Sequence, residues 1–74
     1  MLKNDISMNA RTISYLLADK GAMNLIEMKE LTGYEDVGIA LALGWLAKEN
    51  SIRFMNRDYQ LIVESLNRFT EIYY

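Results

Sequence analysis

An α+β fold, a three-helix core closed by a C-terminal β-hairpin, is predicted by three observations on this 74-residue chain. Apolar residues recur at helical spacing between about Asp5 and Glu49, and beyond Glu49 the period changes to alternation. Glycines stand where the helical pattern breaks, at Gly21 and Gly33. No proline, low-complexity block or repeat marks a boundary, so residues 1–74 are expected to form one domain.

The first helix runs from about Asp5 to Lys20, with Ile6, Ala10, Ile13 and Leu17 on one stripe and Leu16 widening it. Met23, Asn24 and Leu25 form a brief extended connection with the option of pairing as a short third strand. A second, short helix holds Glu27 to Leu31 and ends at Thr32-Gly33, where a residue without a Cβ permits a left-handed cap. The third helix spans Glu35 to Glu49, its two leading acids suited to the positive end of the helix dipole. After Asn50-Ser51, Ile52 and Phe54 face one way and Arg53 and Met55 the other, with a polar turn expected at Asn56-Arg57-Asp58. Tyr59, Leu61 and Val63 alternate with Gln60, Ile62 and Glu64 on the return strand. Residues 64–74 form a tail in which Leu66, Phe69 and Tyr73 share one side at helical spacing, which predicts packing on the domain or across a dimer.

This order of helix, connection, helix, turn, helix and hairpin is the layout of a winged helix-turn-helix domain. The segment Ala42-Leu43-Gly44-Trp45-Leu46-Ala47-Lys48-Glu49-Asn50-Ser51-Ile52 also resembles the ALGWLARE-type signature of a family of small winged helix-turn-helix proteins of uncharacterised function, found mainly in Bacteroidetes. Lys48 stands where many of those relatives have arginine, which keeps the charge but loses the guanidinium fork. The resemblance implies the winged-helix fold, with homodimers among its members, and supplies no catalytic residues.

Composition narrows the chemistry. The chain has neither cysteine nor histidine, so disulfides, thiolate nucleophiles and Cys/His zinc sites are excluded. Ser14 and Ser51 lack a histidine to activate them, and Asp19, Glu27 and Glu30 lie at ordinary helix-surface spacings. No phosphate-cradling motif is present. The expectation is a noncatalytic protein without cofactor or metal. Neither the first residues nor any later stretch has the apolar run of a signal peptide or membrane span, so a cytoplasmic location without membrane contact is expected.

Charge bears on the partner. Residues 21–49 carry a net −3 of the chain's −2, because Lys29 and Lys48 face Glu27, Glu30, Glu35, Asp36 and Glu49. A helix that enters a DNA groove needs cations for phosphates and polar side chains for base edges, and the third helix offers acids, Gly38, Ala40 and Ala42. Nucleic-acid contact is therefore disfavoured there, and Arg53 and Arg57 on the hairpin are the better candidates.

Half the residues are apolar, a surplus for so small a chain, which predicts a homodimer or another protein partner. The candidate interface comprises Leu66, Phe69 and Tyr73 with Ile39 and Leu43 of the third helix. Structural roles fall to Gly33 as a cap, to Trp45 as a core anchor and to Gly44, where close approach of another backbone would justify a helix-interior glycine costing roughly 1 kcal/mol relative to alanine.

Overall fold

The structure, a computed structural model, describes residues 3–66. Its elements are α1 (Lys3–Lys20), β1 (Ala22–Asn24), α2 (Leu25–Thr32), α3 (Asp36–Lys48), β2 (Ile52–Arg57) and β3 (Gln60–Ser65). The three strands form one antiparallel sheet in the order β1-β3-β2, so the expected short third strand is present.

Local chemistry sets the element ends. Gly21, at φ 88°, stops α1 and donates its N–H to the Leu17 carbonyl. Asn24 opens α2 through a capping box: its side chain accepts from the Glu27 N–H at 2.8 Å while the Glu27 carboxylate accepts from the Asn24 N–H at 2.9 Å. This reciprocal pair starts the helix at Leu25, ahead of the Glu27 start suggested by the apolar spacing. Gly33, at φ 73°, closes α2 in the left-handed conformation and donates to the Lys29 carbonyl, as its position in the sequence implied. Glu35 is the N-cap of α3 but makes no side-chain capping bond; its neighbour Asp36 pairs with Lys29 at 2.8 Å and ties α3 to α2.

The core lies between the helices and one face of the sheet. α1 contributes Ala10, Ile13 and Leu17, α2 contributes Met28, and α3 contributes Ile39, Ala42, Leu43 and Leu46. The sheet adds Met23, Val63 and Ile52. Met23 and Phe54 both pair with Val63, so three residues in a row point at the helices. Trp45, Leu16 and Tyr34 pack against this cluster while partly buried.

The hairpin departs from expectation at its tip. Arg57 pairs with Gln60, leaving Asp58 and Tyr59 as the two turn residues, at φ 51° and 65°. Positive φ at both positions defines the type I′ geometry that matches strand twist. The register held by Phe54 opposite Val63 moves the turn beyond Asn56, so Arg57 belongs to the strand. Tyr59, expected to pack on the hairpin, is instead fully exposed at the tip, because a two-residue turn projects its side chains past the last strand pair.

Two outcomes follow for stability. Leu17→Ala, which empties a site with no solvent exposure, is expected to lower unfolding free energy by about 2–5 kcal/mol in urea titration. Tyr59→Gly is expected to raise it by about 1 kcal/mol, since a left-handed non-glycine residue costs on the order of 1–3 kcal/mol and glycine recovers part of that. An unchanged or lowered urea midpoint for Tyr59→Gly would contradict the strain assigned to this turn.

Candidate functional site

The inward face of the sheet is covered by the helices over its base and less so toward the hairpin tip, where a groove lies. Val63 lies over the core, but Phe54 and Leu61, on the same face nearer the tip, remain 46% and 42% exposed. Opposite them runs α3, whose Ile39, Ala40, Leu43 and Gly44 form the floor. Leu25 at the start of α2 closes one end, and the Lys29–Asp36 ion pair lies on the rim. The groove has a volume of about 570 Å³. Its walls are apolar and its charged rim residues neutralise one another, a surface suited to an apolar protein segment and poorly suited to phosphate.

Gly44 is the most informative residue in this groove. It lies within α3, yet a Cβ built on it would meet nothing within 4 Å. Close approach of another backbone was the expected reason for this glycine, and among the described residues none supplies it. The α3 backbone is open to the groove at this point, and a second polypeptide could lie against it there.

The expected interface residues divide three ways. Ile39 and Leu43 are 3% and 6% exposed, so they are core residues that reach the groove only as its floor, and they do not form the free helix face expected of them. The reason is the breadth of the apolar surface of α3, which packs on α1 as well as on the sheet. Leu66 is exposed at the base of the hairpin, where its N–H donates to the Ser51 carbonyl at 2.9 Å. Phe69 and Tyr73 lie outside the described residues. Sequence reasoning passed over Leu25, Ala40, Phe54 and Leu61 as groove residues. Alternation correctly placed Phe54 on the inward face of the hairpin, but no periodicity reports where the supporting helices end.

The arginines are unlike one another. Arg53 pairs across the sheet with Glu64, its Nε 2.5 Å from the carboxylate oxygen, which neutralises it within the chain. Arg57 is exposed beside the turn and has no ion-pair partner among the described residues. No group of acids among the described residues is arranged to hold a metal ion, and no described helix is long and apolar enough to cross a membrane.

Gly44→Ala is expected to stabilise the single chain by up to about 1 kcal/mol, because alanine is the better helix former and its methyl meets open space. Thermal unfolding at low protein concentration checks this, and a loss of stability would mean that an intra-domain contact at Gly44 exists.

Comparison with known families and proteins agrees with this architecture. The model of the family described as Winged helix-turn-helix domain (DUF2582) matches residues 1–65. The search of curated proteins and the search of solved structures gave no match. The chain belongs to that winged helix-turn-helix family.

Proposed function

We propose that this winged-helix domain is a noncatalytic protein-interaction module, cytoplasmic, that forms a homodimer through the groove between α3 and the hairpin. The observation that carries the proposal is the open Gly44 backbone on the floor of an apolar groove. A helix-interior glycine with no neighbour among the described residues is explained by close approach of another subunit. Around it, Val37, Leu41, Phe54 and Leu61 are exposed apolar side chains on the elements that build the groove. A two-fold interface would set the same patch against itself, and the Lys29–Asp36 pair at the rim would supply both signs of charge to each subunit. Ile39 and Leu43 support this surface from below.

Light scattering over a concentration series tests the proposal. Twice the chain mass is expected at high micromolar concentration, and Gly44→Arg or Leu61→Glu is expected to return the protein to the mass of one chain with its circular dichroism unchanged. A wild-type monomer throughout the series would overturn it.

A second function, DNA-binding transcriptional regulation through the wing, is supported by Arg57 alone among the two candidate arginines, since it is exposed and unpaired among the described residues. The acidic α3 would then stay out of the groove. Duplex binding at low salt, measured by fluorescence anisotropy, should weaken for Arg57→Ala and lose about one unit of salt slope. Absence of binding at low salt would remove this second function.

A further inference from the structure

The tip of the hairpin carries an aromatic side chain that the fold itself does not use. Tyr59 is fully exposed, and its backbone stands at φ 65°. Asp58 before it, at φ 51°, belongs to a residue type that tolerates this conformation, whereas a bulky tyrosine does not, and glycine would close the same type I′ turn without the cost. Backbone strain of this kind concentrates at binding and switch sites. The ring does not fill the groove of its own chain. That groove is walled by Phe54 and Leu61, on the strands behind the turn, while Tyr59 projects past the last strand pair, Arg57 with Gln60.

We infer that the hairpin tip of each chain enters the α3 groove of a second copy, with Tyr59 as the anchoring side chain. This rests on the homodimer proposed above and names what fills its groove. The first argument is chemical fit. The residues lining the groove are apolar except for Lys29 and Asp36 at the rim. A tyrosine has the same division, an apolar ring and a hydroxyl that takes a polar partner when buried. The volume of about 570 Å³ and the bare α3 backbone at Gly44 leave room for the ring and its turn. The second argument is charge. Arg57 and Asp58 lead into Tyr59, both exposed and both without an ion-pair partner among the described residues. The rim offers the complementary pair: Asp36, still 81% exposed beside Lys29, accepts from Arg57, and Lys29 donates to Asp58. Arg53 does not compete, because Glu64 holds it within its own chain. The third argument is symmetry. Tip and groove lie on one chain, so a single two-fold axis makes both contacts at once. A turn already fixed in shape also loses little freedom on insertion.

Tyr59→Gly separates this contact from stability, because the same change is expected to strengthen the single chain against urea and to weaken its association. The dimer dissociation constant from sedimentation equilibrium of the full chain is expected to rise at least roughly tenfold for Tyr59→Gly, and less for Tyr59→Phe, which keeps the ring. Arg57→Glu and Asp36→Arg should each weaken association, and the two together should recover part of the loss. The wild-type chain supplies a readout that depends on no variant. In a mixture of isotope-labelled and unlabelled chains, filtered NOEs are expected between the Tyr59 ring of one copy and the Leu25 and Leu61 methyls of the other. A wild-type dimer whose dissociation constant Tyr59→Gly leaves unchanged, or in which those NOEs are absent, overturns this inference and leaves the homodimer standing. A wild-type chain that stays monomeric throughout overturns both.

Discussion

Everything in this fold depends on the register of β3. It is the middle strand, bonded to β1 on one edge and β2 on the other, and Val63 sits at its centre with Met23 and Phe54 directly beside it. A shift of one residue would turn Val63 to solvent and bring Ile62 and Glu64 inward, taking Glu64 away from Arg53. The base of the strand is held independently: the Ser65 N–H donates to the Gly21 carbonyl and the Leu66 N–H to the Ser51 carbonyl. These two bonds join the end of α1, the end of α3 and the end of the hairpin at one place. With that junction set, the helices cover the lower half of the sheet and leave its upper half to form a groove wall.

α3 carries the other half of the organisation. Five of its thirteen residues are buried, on a surface broad enough to meet α1 and the sheet. What remains exposed on its groove side is small, Ala40 and Gly44, and this is why a groove exists where larger residues would have filled the space. At its start, Asp36 is paired with Lys29. The same side chain thus neutralises one surface cation and ties α3 to α2.

Most of the architecture was readable from residue order. The break at Gly21, the cap at Gly33 and the alternation from Ile52 to Val63 are local signals with local causes, and each corresponds to an observed feature. Boundaries moved where a side chain overrode periodicity, as when the Asn24–Glu27 capping box began α2 at Leu25. The site was much less readable. Ile39 and Leu43 have the composition of an interface and the position of a core, and only the packing of α3 on its neighbours decides between the two. Gly44 shows the same limit. A sequence can reveal that a glycine is costly within a helix, but the space above it belongs to tertiary structure.

The left-handed pair Asp58-Tyr59 has a consequence for the order in which the hairpin assembles. A turn built from glycine or asparagine favours closure from the tip, since local geometry brings the strands together before any distant contact forms. Here the tip resists closure, while the opposite end is drawn together by Gly21, Ser51 and the burial of Ile52. The expected gradient is fraying from the tip inward, which amide exchange along β2 and β3 would record. The wing would be the last part of the domain to form and the first to open.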